Sequence, residues 1–169
     1  AFVHVLLPLM QRTGVLWVSG SVKPSQEHFI SNLIRQKIIS AIDKLEVPQG
    51  KEHPVMLFLP EHEWHEISLL FYHYAIRRSG LYTIYLGQSL PYDALLECIE
   101  RFKPRALVTS WLTSVDSNYM LNFFKQLYKD SNGIPVHAGG YQINTNREQI
   151  RQFICEVKSV EEMVENLNQ

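Results

Sequence analysis

The chain has 169 residues, 46% of them hydrophobic, enough to bury one full core and a small second one. One or two compact domains are therefore expected, and a disordered or fibrous chain is not. Sixteen basic residues against seventeen acidic ones leave a formal charge of -1, without the positive excess of a surface that tracks phosphates, so this stretch is not expected to bind DNA itself.

The opening AFVHVLLPLM has neither a basic n-region nor a small-residue cleavage site, and it starts in mid-helix without Met. It reads as a piece of something longer, cytoplasmic and without a membrane partner, because no run approaches the roughly 18 apolar residues of a membrane span. From Ala1 to about Leu45 apolar residues recur at helical spacing, as in Phe29, Ile30, Leu33, Ile34, Ile38, Ile39 and Ile42, which predicts a small helical bundle. Pro24 and Ser25 mark a helix start before the run Gln26 to Leu45, while Gly14 and Gly20 bracket a turn-rich element carrying Trp17. VPQGKEHP, 47–54, has linker composition.

Beyond the linker, short apolar runs alternate with helical ones. Strands are expected at VMLFLP (55–60), LYTIYL (81–86), RALVTSWL (105–112), IPVHA (134–138) and FICEV (153–157). Helices are expected near 64–78, 91–102, 115–129, 146–152 and 160–168. Five strands separated by helices imply an α/β fold with a Rossmann or flavodoxin-like parallel sheet, covered on both faces and crossing over right-handedly. Cys98 and Cys155 each sit in an apolar or helix-like run and are expected to be reduced, buried packing groups.

Ligands of such sheets bind outside the carboxyl ends of the strands, where the loops after strands 1, 3 and 4 converge. The first of these loops reads EHEWHEIS, with Glu63 two residues before His65. A carboxylate there can hold Nδ1–H of the imidazole and leave Nε2 to ligate a metal; taken alone, the pair equally describes a solvated first helical turn. The loop after strand 3 holds Ser110, Trp111 and Leu112, and that after strand 4 holds Gly139 and Gly140. Paired glycines let a flat ligand approach the backbone, or simply make a turn. His4, His53, His62, His73 and His137 share no ligand spacing, and Tyr82, Tyr85 and Phe123 fit core positions.

Taken together, Glu63-x-His65-x-x-Ser68, 41 residues, Ser110-x-Leu112, 26 residues and Gly139–Gly140 resemble the cobalamin-binding signature D-x-H-x-x-G, S-x-L, G-G. The resemblance implies base-off, histidine-on binding, in which His65 replaces dimethylbenzimidazole as lower ligand to cobalt. The displaced nucleotide tail then slots past Ser110, Leu112 and the two glycines. Glu63 for Asp lengthens the supporting arm by one methylene, and Ser68 for Gly adds a side chain where helix and tail come close.

Trp17, nine residues and then Glu27–His28 otherwise read as a bundle-core tryptophan and a polar helix start. With the signature downstream, they resemble the cap of the CarH-type light- and B12-responsive repressors of the MerR family, where Trp and Glu sit against the adenosyl group. That resemblance implies a cap over the upper corrin face at 1–46 and a cobalamin-binding Rossmann-like domain at 54–169. It further implies adenosylcobalamin, or methylcobalamin, as ligand, a homo-oligomer (dimer or tetramer) when liganded, and operator DNA bound only through an N-terminal helix-turn-helix domain outside this sequence. The expected role is regulatory rather than enzymatic. Val18 departs from the pattern, since light-sensing members carry there a histidine that caps cobalt after photolysis; His28 is the imidazole that could substitute. Corrinoid methyltransferase subunits share the signature and are the competing reading, with a cofactor-free interaction module the third.

Overall fold

The computed structural model describes residues 23–48 and 53–169, and the chain divides into two compact units, Ala1–Asp43 and Lys44–Gln169. The helix described in the first unit is α1 (Pro24–Asp43). Proline lacks the amide hydrogen that a first turn leaves unpaired and so suits its opening position, while Lys23 O accepts from the amides of Gln26 and Glu27 at 2.9 and 3.1 Å. Ile34 and Ile38, one turn apart, are buried, whereas Phe29, Leu33 and Ile39 of the same apolar series are exposed. The remainder of the expected bundle, including Trp17 and Val18, lies outside the described residues.

In the second unit strands and helices alternate as β1 (Val55–Pro60), α2 (Ile67–Arg78), β2 (Thr83–Leu90), α3 (Tyr92–Phe102), β3 (Ala106–Ser110), α4 (Ser117–Asp130), β4 (Val136–Gly139), α5 (Tyr141–Thr145), α6 (Arg147–Ile150), β5 (Cys155–Glu156) and α7 (Val160–Leu167). The five strands form one sheet in the order β2-β1-β3-β4-β5, every neighbouring pair parallel. This is the expected α/β architecture. Its strand order reverses between β1 and β3, which opens a crevice at their carboxyl ends.

The run VMLFLP is buried at every position, as a central strand covered on both faces must be. Met56 and Phe58 share a core with Leu107, Trp111, Val136 and Ala138 of the sheet and with Leu95, Ile99, Met120, Phe124 and Leu127 of α3 and α4. Side chains alternate along a strand, so Val55, Leu57 and Leu59 point the other way, where α2 lies against β1, β2 and β3 and touches α7. Side-chain caps fix two of the covering helices. Asp116 accepts from the amides of Asn118 and Tyr119 at 2.9 and 3.2 Å, and Ser159 accepts from Glu162 at 3.0 Å.

The structure differs from the sequence expectation in several places, beginning with β3 and β5, which are shorter than the expected 105–112 and 153–157. Strand β2 runs to Leu90 rather than Leu86, because register shifts opposite Phe58 and Pro60 and positive φ at Gly87 and Ser89 carry it through residues too polar to read as strand. The helix expected at 146–152 is a single turn, Arg147–Ile150, preceded by an unexpected short helix, Tyr141–Thr145, with Asn146 buried between them; its side-chain amide donates to Gln142 O at 2.9 Å and its Oδ1 accepts from Ser117 at 2.6 Å. Finally, Cys155 is exposed and Cys98 only half-buried. Strand β5 is a two-residue edge with β4 on one side, too short for a second element to cover its outward side chain.

Gly140, directly after β4, is pressed against backbone of the loop after β3. Its φ is +106°, and a Cβ there would lie 2.5 Å from the carbonyl oxygen and 2.8 Å from the amide nitrogen of Trp111. Gly80 has a similar φ of +90° with nothing within 4 Å of a Cβ. Gly140→Ala is therefore expected to lower stability by about 3 kcal/mol and Gly80→Ala by about 1 kcal/mol in urea unfolding. Equal losses would show that backbone conformation alone, without the Trp111 contact, demands glycine at 140.

Candidate functional site

The loop Glu61 to Glu66 crosses the carboxyl edge of the sheet between β1 and α2, and the last residues of β2 clamp it. Ser89 Oγ accepts from His62 N at 3.1 Å, Ser89 N donates to Glu63 O at 3.1 Å, and the Gln88 amide donates to Trp64 O at 2.6 Å. This is the role of the part of β2 that periodicity does not reveal.

Glu63 has no exposed surface. Its Oε2 accepts from the amides of Leu112 and Thr113, both at 2.7 Å. Its Oε1 accepts from His65 N at 2.9 Å and Thr113 Oγ1 at 3.0 Å, and lies 2.7 Å from His65 Nδ1. Burial by itself raises the pKa of a carboxyl, but the bonds from His65, Thr113 and Leu112 outweigh it and hold Glu63 down at about 2. An ionised carboxylate only accepts, so the imidazole proton sits on Nδ1 and the ring's lone pair on Nε2. The imidazole carrying that lone pair is 63% exposed.

The other residues singled out in this unit converge here. Ser68, in the first turn of α2, accepts from Ser110 Oγ at 3.3 Å. Ser110 ends β3, wholly buried, and pairs with Gly139 of β4, and Gly140 follows. The Leu112 side chain is 38% exposed, its contribution to the pair being the backbone amide. Trp111 turns inward instead, 1% exposed, stacking edge-on against Phe123 and Phe124. Past the carboxyl ends of β1, β3 and β4, Trp64, Leu112 and Tyr141, the last opening α5, are exposed by 61%, 38% and 70%, apolar surface suited to a broad, flat partner.

Glu27 and His28 lie in the first turn of α1, in the other unit, their side chains 3.9 Å apart. His73 is structural: it bonds Thr83 Oγ1 at 2.9 Å and stacks on Tyr85, and burial, with Arg77 nearby, depresses its pKa to about 4. Among the described residues no group of three or more His, Cys, Asp or Glu is placed to hold a metal.

Sequence reasoning missed two residues of the site. Thr113 gives Glu63 both its amide and its hydroxyl, and nothing in local sequence marks it. Tyr72, whose hydroxyl lies against Gly139, stands four residues after Ser68, a helical spacing that puts both on one face of α2.

No family model matches the chain. It is similar to the HTH-type transcriptional repressor CarH of Myxococcus xanthus, 29% identical over 158 residues, covering 92% of this chain and 50% of that protein. It is also similar to the HTH-type transcriptional repressor CarA of the same organism, 26% identical over 97% of this chain and 55% of that one. The CarH-type resemblance read from the motifs thus extends along nearly the whole sequence, and the chain spans about half the length of the curated relatives it matches. Solved structures with the same fold include the Methanosarcina barkeri monomethylamine corrinoid protein, with a TM-score of 0.68 at 11% identity over 94% of this chain and 76% of that one. The methanol:cobalamin methyltransferase complex MtaBC of the same organism gives 0.60 at 17% identity, over 94% of this chain and 62% of that one. A cobalamin-binding protein from Desulfitobacterium hafniense gives 0.58 at 21% identity, over 94% and 76%.

A depressed carboxyl pKa contributes stability that is present above the unfolded value and lost as pH falls through the folded one. For Glu63 that window runs from the ordinary 4.5 down to about 2. Wild type is expected to exceed Glu63→Gln by roughly 2–3 kcal/mol near neutral pH, with the gap closing across that window. Urea unfolding of both proteins at pH 7, 4 and 3 measures it; a gap independent of pH would mean that Glu63 is not ionised when buried.

Proposed function

We propose that the chain binds cobalamin at the carboxyl edge of its sheet, with His65 as lower axial ligand to cobalt, and that it is the sensory region of a MerR-type transcriptional regulator. The observation that carries this is the grip of buried Glu63 on His65 Nδ1 at 2.7 Å, which leaves the lone pair on Nε2. A metal that arrives with its equatorial ligands in a macrocycle needs from the protein one well-oriented imidazole, and this pair supplies it. The exposed apolar side chains of Trp64, Leu112 and Tyr141 suit the remainder of a corrinoid.

Residues 54–169 are the cobalamin-binding domain and 1–46 the cap. The cap's part in this reading rests on the sequence resemblance: Trp17 and Glu27 are the residues that would select adenosylcobalamin over methylcobalamin by contact with the adenosyl group, and His28 the imidazole that could cap cobalt in place of Val18. When bound, the corrinoid supplies a cobalt–carbon bond that light can break. His65, oriented by Glu63, would hold the metal, and Ser68, Ser110, Leu112, Gly139 and Gly140 would line the way for the displaced tail. The ligand state sets a dimer or tetramer equilibrium, and with it operator binding by an N-terminal helix-turn-helix domain. The sequence likeness to two repressors along nearly the whole chain supports regulation over catalysis. A corrinoid-carrying subunit of a methyltransferase system is the second reading, favoured by the fold shared with the two Methanosarcina barkeri proteins.

Mixing the chain with adenosylcobalamin in the dark and recording absorbance and gel-filtration volume before and after green light tests this. Wild type is expected to give a base-off, histidine-on spectrum and a larger, light-sensitive assembly. His65→Ala should lose the histidine-on signature, and Trp17→Ala the preference for the adenosyl form. Binding with an assembly state that ignores the ligand would favour the methyl carrier, and no binding of any corrinoid would overturn both.

A further inference from the structure

Side chains fill the space between α2 and the β3–β4 edge. Ser68 and Tyr72 project from one face of α2, and opposite them stand Ser110 and Gly139, paired across β3 and β4. The two serine hydroxyls bond across the cleft. The Tyr72 hydroxyl occupies the space a side chain at 139 would take: a Cβ there would collide with it and come within 3.2 Å of the ring and 3.3 Å of Val157 Cβ. The missing side chain of Gly139 therefore accommodates a phenol rather than leaving open room. Tyr72 is 8% exposed, and burial alone raises its pKa, to about 12. Among the described residues the Tyr72 side chain has no hydrogen-bond partner, so packing holds the ring in place.

A phenol is a flat aromatic only slightly smaller than a benzimidazole, and empty apolar clefts are costly. We propose, resting on the corrinoid site above, that Tyr72 is a stopper: its ring fills the tail cleft of the free chain and must turn aside before the nucleotide tail of a complete cobalamin is admitted. The fraction of molecules with the ring turned out then scales both the rate and the affinity for tailed corrinoids, whereas a corrinoid without the nucleotide loop meets His65 with the stopper in place.

Adenosylcobalamin and adenosylcobinamide share the upper ligand and differ in the nucleotide loop. Their association rates with the whole chain, followed by stopped-flow absorbance in the dark, are to be compared in wild type, Tyr72→Leu and Tyr72→Phe. Wild type should take up adenosylcobinamide at least about tenfold faster than adenosylcobalamin. Part of that ratio belongs to the cobalamin, which must release its own base, and no substitution in the protein alters that part. Tyr72→Leu should therefore speed adenosylcobalamin about tenfold with adenosylcobinamide unchanged, while Tyr72→Phe, which keeps the ring, stays slow. A ratio that Tyr72→Leu leaves untouched, with its urea midpoint showing it folded, overturns the stopper and leaves the corrinoid site standing. Equal wild-type rates for the two ligands do the same without any variant. Failure of both ligands to bind wild type and variants alike overturns the corrinoid site and the stopper with it.

Discussion

The carboxylate of Glu63 lies wholly out of water just past the carboxyl end of β1, and a bare anion there would destabilise the fold severely. Its donors come from two directions: its own loop, through His65, and the loop after β3, through Leu112 and Thr113. The requirement to satisfy one buried charge thus welds the two loops that flank the switch point. His65 is positioned by that weld, since its ring is held by the same oxygen that accepts its backbone amide. Orientation of the imidazole is therefore part of the folded structure and not something a ligand has to impose.

Much of this was legible in the sequence because it depends on patterns with short range or fixed spacing. Every strand after the linker announced itself as an apolar run, and β1 did so most strongly because both its faces are covered. Glu63 and His65 are two residues apart, so their partnership could be read from the chain alone. Thr113 could not, as its bonds to Glu63 span 50 residues, and no periodicity encodes a contact made by a backbone amide in a loop. The polar end of β2 was invisible for a related reason: Gln88 and Ser89 pair through backbone and side-chain polar groups, so no hydrophobic alternation marks them. Cys155 was misread because an apolar neighbourhood in sequence says little about burial on a two-residue edge.

The two departures from the signature look different once placed. Glu63 uses its longer arm to reach the amides of both Leu112 and Thr113 while keeping hold of the imidazole. Ser68 meets Ser110 across the cleft instead of intruding on empty space, and with Tyr72 one turn further along α2 it gives that face a row of hydroxyls where the signature has glycine.

Trp64 carries a further implication. Its carbonyl is tied down by Gln88 while its indole stands 61% exposed beside His65, so the chain holds a large apolar surface in water with little freedom to hide it. Covering most of that indole is worth about 2 kcal/mol of hydrophobic free energy, independent of any bond to a metal. Adhesion at this edge is consequently independent of coordination: a flat molecule covering the indole would gain that free energy whether or not any of its atoms bonded the imidazole.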